Sequence, residues 1–158
     1  MKKLHIIICI ILLSGSLAQA QSYQTGIGVR GGLFSGFSVK HFVSGQDAVE
    51  GVLAWHYRGI LLNGMYQRHT NAFDVPDLNW YYGGGGFLGF YNRRYVPWYE
   101  DYDTGAFTTF GLLGVLGMEY KIEDIPIVVG LDVKPAFNLI GHTGFWFGAG
   151  ATIRYTIE

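Results

Sequence analysis

The segment Phe145–Glu158, FWFGAGATIRYTIE, alternates between two kinds of residue over its whole length. Odd positions such as Phe147 and Ile153 are apolar, whereas most even positions, such as Gly148 and Arg154, are small or polar. Successive residues of a strand point to opposite faces, so the pattern predicts one strand with an apolar face and a polar face. The biology of the protein then depends on which face meets water, because a soluble sandwich and a membrane barrel give opposite answers.

Seven further segments with strand-like patterns precede this one, and turn residues separate them. They cover residues 23–33, 37–43, 48–57, 60–69, 80–91, 106–120 and 127–137. Apolar residues never recur at the three-to-four spacing of a helix, so the chain is expected to be all-β with eight antiparallel strands. The glycine run Gly83–Gly86 leaves the register of the fifth strand open.

The polar faces of these segments mix glycines with charges of both signs. A solvated strand face favours Thr, Lys, Glu and Arg, whereas glycine suits the narrow lumen of an eight-stranded barrel, where long side chains need room. Charges of both signs can pair with one another, as buried ions must. We therefore expect a structural polar network inside the barrel, formed by Arg30, Lys40, Glu50, His56, Glu119, Asp132, Lys134 and Arg154.

The apolar faces then form the outside of the barrel. We expect no Lys, Arg, Asp or Glu on the apolar face of the six clearest strands, because charges cost roughly 2–4 kcal/mol at the middle of a bilayer. The segment lengths suit tilted strands that span a membrane in about 9–11 residues, and only a closed barrel satisfies the backbone of such strands in lipid. Aromatic residues near the segment ends are typical of interfacial girdles. They are Tyr23, Trp55, Tyr57, Tyr66, Trp80, Tyr81, Tyr91, Tyr120, Phe137 and Tyr155.

The beginning of the chain is typical of a secretory signal peptide. Basic Met1–Lys3 precedes the apolar run Leu4–Leu13, which is too short to cross a bilayer as a helix, and Ala18–Ala20 fits a cleavage site. We therefore expect a signal peptide over residues 1–20 and an outer-membrane barrel domain over residues 21–158.

The composition of the chain differs from that of ordinary soluble domains and of nucleic-acid-binding proteins. Charged residues make up 15% of the sequence, against about 25% in ordinary soluble domains. Without Lys2 and Lys3 the remaining 9 basic and 12 acidic residues give a formal net charge of −3, which provides no basic surface for nucleic acid. The single cysteine, Cys9, lies within the expected signal peptide, so no disulfide is expected.

Two stretches carry a resemblance to a known family. They are residues 73–85, FDVPDLNWYYGGG, and residues 117–137, where GMEYK and DVKPAF are joined through Asp124-Ile125-Pro126. The chain resembles the small eight-stranded outer-membrane barrels of Gram-negative bacteria, with OmpA/OmpX-type architecture, and more narrowly a group of uncharacterised barrels. The resemblance implies an eight-stranded antiparallel up-and-down transmembrane barrel in the cell outer membrane, and it carries no catalytic motif.

The same resemblance extends to partners. Segment Phe145–Glu158 is similar to the terminal-strand signal by which outer-membrane barrels are recognised, which implies the barrel-assembly machinery as a partner during insertion. We further expect outer-membrane lipid around the barrel, a monomeric state, and no nucleic-acid partner.

An even number of strands places both termini in the periplasm. External connections are then expected near Ser35, at Arg58-Gly59, at residues 92–104 and at residues 138–143. The third is the longest, and loops on a rigid scaffold often carry function. Its possible external contact residues are Arg93, Arg94, Trp98, Tyr99, Glu100, Asp101 and Asp103. Residues 70–79 exceed the usual length of a periplasmic turn, which leaves the topology there open.

We expect a structural or surface-interaction protein without catalysis, cofactor or metal, and two other functions stay open. A lipid A-modifying acyltransferase or deacylase needs a histidine and a serine in contact. Its candidates are His41, His56, His69, His142, Ser35, Ser38 and Ser44. A soluble lipocalin-like ligand-binding barrel needs the apolar face inside. The residues Gly26–Gly31 match the G-x-G-x-x-G pattern of dinucleotide-binding sites. Such a site requires a helix directly after the glycines, whereas a strand is expected here.

Overall fold

The computed structural model describes residues 23–56, 59–92, 106–140 and 144–157. Every regular element in these ranges is a strand, and the described residues contain no helix long and apolar enough to cross a membrane. Each strand pairs antiparallel with the next, and the last pairs with the first, which closes the barrel. The strands are β1 (Thr25–Gly32), β2 (Ser35–Phe42), β3 (Asp47–His56), β4 (Gly59–Asn71), β5 (Leu78–Asn92), β6 (Ala106–Lys121), β7 (Ile127–Ile140) and β8 (Gly144–Ile157).

The closed eight-stranded antiparallel barrel confirms the all-β prediction, and its strand bounds lie within a few residues of the predicted segments. We call the end where β3, β5 and β7 finish the loop end, and the opposite end the turn end. At the turn end β1 begins beside the end of β8, since Thr25 pairs with Ile157. Strand β4 continues to Asn71, so the long connection expected at residues 70–79 shrinks to the turn 72–77.

Side chains alternate along each strand between the lumen and the outside, as the sequence pattern predicts. On β4, Leu61 and Gln67 are buried, whereas Ile60 and Leu62 are about half exposed. The same alternation resolves the register of β5, where Tyr81 and Phe87 point inward and Tyr82 points outward. The outer wall is therefore mostly apolar.

Outward aromatic residues form two groups at opposite ends of the barrel, with aliphatic residues between them. The loop-end group is Phe37, Trp55, Phe90, Phe137, Phe145 and Phe147. The turn-end group is Tyr66, Trp80, Tyr82 and Tyr155. The aliphatic residues between them include Val29, Val39, Leu53, Leu62, Leu112, Leu116 and Leu131.

Three aromatic residues predicted for the outer girdles are instead buried in the lumen. Tyr81 and Tyr91 have the inward parity of β5, which the glycine run hides in the sequence. Tyr23 precedes β1, so the alternation of that strand does not extend to it, and its ring packs edge-on against Phe42 at 5.1 Å. Tyr57 lies outside the described residues.

The expectation of an uncharged outer face is wrong at one place. Arg68 lies on the outward face of β4 and pairs with Asp47 of β3, with 3.8 Å between Arg68 Nε and Asp47 Oδ1. Both residues lie at the turn end of their strands, and the Arg68 side chain is half exposed.

Candidate functional site

Seven of the eight residues expected in the interior network are buried inside the barrel. They are Arg30, Lys40, Glu50, Glu119, Asp132, Lys134 and Arg154. The eighth, His56, is the last residue of β3, and its side chain lies outside the described part of the structure. The seven charges come from six of the eight strands, so the contacts among them link distant parts of the sheet.

Glu50 on β3 is the centre of one half of the network. Its Oε1 accepts hydrogen bonds from Arg154 Nη2 and from the Ser38 hydroxyl, the latter at 2.7 Å. Its Oε2 accepts from Gln67 Nε2 at 2.5 Å, and Lys134 Nζ lies 3.9 Å away. Both oxygens of this buried carboxylate are therefore occupied by protein donors.

Glu119 on β6 is the centre of the other half. Its Oε2 accepts from Lys40 Nζ at 2.8 Å and lies 3.5 Å from Arg154 Nη1. Its Oε1 accepts from the Tyr23 hydroxyl at 3.1 Å and lies 3.4 Å from His69 Nε2. Burial and the Glu119 carboxylate raise the pKa of Tyr23 well above its usual value, so this phenol remains a proton donor.

A third group joins β1, β5 and β7. Arg30 binds Asp132 through two parallel hydrogen bonds of 2.5 and 2.6 Å, the bidentate geometry that suits a guanidinium and a carboxylate. The Tyr81 hydroxyl donates to the same carboxylate at 3.0 Å. The Lys40 ammonium lies 4.0 Å from the centre of the Tyr81 ring, which connects this group to the Glu119 group.

These contacts brace the barrel from the inside. In a ring of eight strands β2 faces β6, and β3 faces β7. The pairs Lys40–Glu119 and Lys134–Glu50 therefore cross the full width of the lumen. Arg154 on β8 reaches both Glu50 on β3 and Glu119 on β6. The charged residues thus link strands on opposite sides of the barrel, which share no backbone hydrogen bonds with each other.

Apolar layers lie on both sides of the charged layer along the barrel axis. Toward the turn end, Tyr23, Phe42, Ala48 and Val128 form a small buried cluster. Toward the loop end lies a second, larger buried cluster. It contains Phe34, Val52, Ala54, Leu61, Met65, Tyr81, Phe87, Tyr91, Leu113, Val115 and Ala136, with Phe107 and Trp146 packed against it.

The loop-end cluster fills the lumen with ring contacts. The Trp146 ring lies 4.4 Å from Phe34 and 5.5 Å from Phe87, measured between ring centres. Tyr91 stacks on Phe107 at 5.7 Å. Among the described residues, the charged layer is therefore enclosed by side chains at both ends, as expected for a barrel with eight strands.

Inward glycines make room for the large lumenal side chains. A methyl group on Gly150 would lie 2.5 Å from Arg30 Nη2 and 2.7 Å from the Gly31 carbonyl oxygen. A methyl group on Gly117 would lie 2.6 Å from the Tyr81 hydroxyl. The glycines that the sequence shows between charged residues thus have a steric role in the lumen.

Replacing Gly150 with Ala is expected to destabilise the barrel by about 1–3 kcal/mol, because the added methyl group overpacks the lumen beside the Arg30–Asp132 pair. Urea unfolding of the folded protein measures the change. Gly64→Ala is the matched control, because Gly64 faces outward and nothing lies within 4 Å of an added methyl group there. Equal destabilisation by both substitutions would show that lumenal crowding is not the cause.

The histidines and serines considered for catalysis do not come together in the described part of the chain. His69 is buried against Lys40 and Glu119, and His41 contacts Thr25 on the outer face at 2.9 Å. Ser38 is buried beside Glu50, whereas Ser35 and Ser44 are exposed near strand ends. The side chain of His56 and all of His142 lie outside the described residues.

The predicted external contact residues of the longest loop also lie outside the described residues. They are Arg93, Arg94, Trp98, Tyr99, Glu100, Asp101 and Asp103. Within the described ranges no group of three or more His, Cys, Asp or Glu side chains is arranged to hold a metal ion.

Four polar residues of the network did not appear among the interior residues expected from the sequence. Ser38 and His69 share the inward parity of their strands, so the alternation could have identified them. Tyr81 also has inward parity, but the neighbouring glycine run obscures it. Tyr23, which donates to Glu119, precedes β1 and so has no strand parity to identify it.

No protein-family model, curated protein or solved structure matches this chain.

Proposed function

We propose that this chain is an integral outer-membrane β-barrel with a filled polar interior and a structural or surface-interaction role, without catalysis. The observation that carries the proposal is the outer wall of the closed barrel, which is apolar between two groups of aromatic residues. Closure supports it further, because a barrel leaves no strand edge with unpaired backbone groups in lipid.

The distribution of charge supports the same proposal. Seven charged side chains are buried in the lumen, whereas the only charged residues on the outward faces of the described strands are Asp47 and Arg68. These two lie at the turn end, on the side of Tyr66 away from the aliphatic band. In a membrane this position is close to the lipid headgroups, where a charge costs about 0–1 kcal/mol.

The lumen supports a structural role over transport. Ion pairs cross the lumen from one side to the other, and apolar clusters lie on both sides of the charged layer along the axis. The longest connection, residues 93–105, remains the proposed external contact segment on the basis of its aromatic and charged sequence.

The observed faces favour this function over the two alternatives. A soluble calyx needs its apolar strand faces inside, whereas Ile27, Leu62 and Leu131 point out of the barrel here. A lipid A-modifying enzyme needs a histidine and a serine in contact, and no described histidine and serine are hydrogen-bonded to each other.

Cell fractionation tests the membrane assignment directly. We expect the protein in the outer-membrane fraction, resistant to carbonate extraction, and with faster gel migration before boiling than after it, because a closed barrel stays compact in detergent. Recovery from the soluble periplasmic fraction as a detergent-free monomer would contradict the proposal.

A further inference from the structure

The buried charges of the lumen do not balance. Among the described residues four buried side chains are cationic, namely Arg30, Lys40, Lys134 and Arg154. Three are anionic, namely Glu50, Glu119 and Asp132. If all seven are ionised, the enclosed layer has one excess positive charge, which bulk solvent cannot screen well because apolar clusters lie on both sides.

Every oxygen of the three carboxylates already accepts a hydrogen bond from another side chain. Both oxygens of Asp132 bind Arg30, and one of them also binds Tyr81. Glu50 accepts from Arg154, Ser38 and Gln67. Glu119 similarly has a protein donor on each oxygen.

Lys134 is the cation left without an acceptor. Its nearest carboxylate oxygen, Glu50 Oε2, lies 3.9 Å away, which is too long for a hydrogen bond. Its Nζ is buried and has no hydrogen-bond partner among the described residues. A buried ammonium with three unsatisfied N–H groups is costly, and an acceptor or a negative charge at this point would lower that cost.

A neighbouring donor is also unsatisfied. Asp132 is the next inward residue on β7 toward the turn end, and its partner Arg30 has a buried Nε without an acceptor. Lys134 Nζ and Arg30 Nε therefore lack acceptors, as does Arg154 Nη1, and the buried oxygens Gln67 Oε1 and Thr152 Oγ1 also have no hydrogen-bond partner among the described residues. An anion satisfies donors and lowers the net positive charge together, whereas a water molecule satisfies donors without changing that charge.

We propose that the folded barrel binds one small monovalent anion, of halide size, against the ammonium of Lys134. A spherical halide ion accepts N–H groups from any direction, which suits a flexible lysine. The rings of Phe34, Phe87 and Trp146 pack together on the loop-end side of the lumen, which favours a small anion over a larger one. The proposal concerns the lumen and does not rest on the membrane assignment.

Crystals of the folded protein grown with bromide in place of chloride test the site by anomalous diffraction. We expect a bromide peak within the barrel in contact with Lys134 Nζ, and no such peak in Lys134→Met. Bromide at the protein surface alone would identify an adventitious ion only and overturn the proposal. Non-anomalous density, or a carboxylate of residues 93–105, beside Lys134 would overturn it equally.

A stability measurement tests the site in solution. At constant ionic strength, each tenfold rise of chloride above its dissociation constant, replacing gluconate, should raise the folding equilibrium constant of the wild type about tenfold. Lys134→Met should fold, because it leaves three buried cations and three carboxylates, and should show no halide dependence. Lys121→Met removes the same charge at the end of β6, outside the buried layer, and should retain the wild-type dependence.

Lys134→Gln provides a second variant with a polar side chain and should behave as Lys134→Met does. A wild-type stability that does not change with halide, or the same dependence in the wild type and both Lys134 variants, would overturn the anion site. None of these results would alter the membrane fractionation of the protein, so failure of this proposal is distinct from failure of the proposed function.

Discussion

Replacing Glu50 with Gln is expected to lower the free energy of unfolding by about 3–5 kcal/mol, because it breaks a buried ion-pair network from one side. The amide keeps the volume of the side chain but removes the negative charge that Arg154 and Lys134 face. Removing one of three carboxylates also increases the excess positive charge of the enclosed layer. Urea unfolding followed by tryptophan fluorescence in detergent measures the loss.

Two comparisons separate this effect from a general sensitivity to substitution. Glu123→Gln makes the same chemical change in the exposed turn 122–126 and should change stability by less than about 0.5 kcal/mol. Adding Arg154→Met to Glu50→Gln should recover about 2 kcal/mol, since the guanidinium that has lost Glu50 is then gone and the excess positive charge of the layer falls back to one. Additive losses in the double variant would show that the two residues do not act as a pair.

Replacing Leu131 with Arg is expected to destabilise the membrane-inserted barrel by about 2–4 kcal/mol. Leu131 is the most exposed aliphatic residue of β7, with 67% of its surface accessible. It lies near the middle of the proposed lipid-facing band. Ile127 pairs with Tyr155 on the turn-end side, and Phe137 pairs with Phe145 on the loop-end side. Reversible unfolding from lipid vesicles measures the difference.

Leu139→Arg is the matched control, because Leu139 lies on the same strand and face but beyond Phe137 at the loop end. It should cost only about 0–1 kcal/mol, as charges near the interface do. In a water-soluble barrel an exposed leucine would accept arginine with a change within about 0.5 kcal/mol. Equal and small effects at both positions would therefore contradict the membrane assignment.

Local alternation was enough to predict the strands and most of their faces. Ile153 and Arg154 are adjacent in β8, and the structure places the first outside and the second in the lumen, as their parity requires. The combination of glycines with charges of both signs likewise indicated which face is enclosed. These properties follow from the geometry of a single strand, so each segment contains the information by itself.

The aromatic residues show where this local rule ends. Tyr23 lies just before β1, where the pleat does not yet fix the direction of the side chain, and its ring turns into the lumen. Tyr81 lies beside a glycine run that has no large side chains to mark the register. Both were predicted outside, and both donate hydrogen bonds to buried carboxylates.

The sequence by itself determined the all-β class, the eight strands and the placement of charges on an enclosed face. Only the tertiary structure decided which charges meet, because Arg154 and Ser38 are 116 residues apart in the chain and yet 3.0 Å apart in the lumen. The same closure brings Arg30 to Asp132 and leaves Lys134 without an acceptor. Parity along a strand gives the face of a residue but not its height relative to other strands, and that height is set when the tilted sheet closes into a barrel.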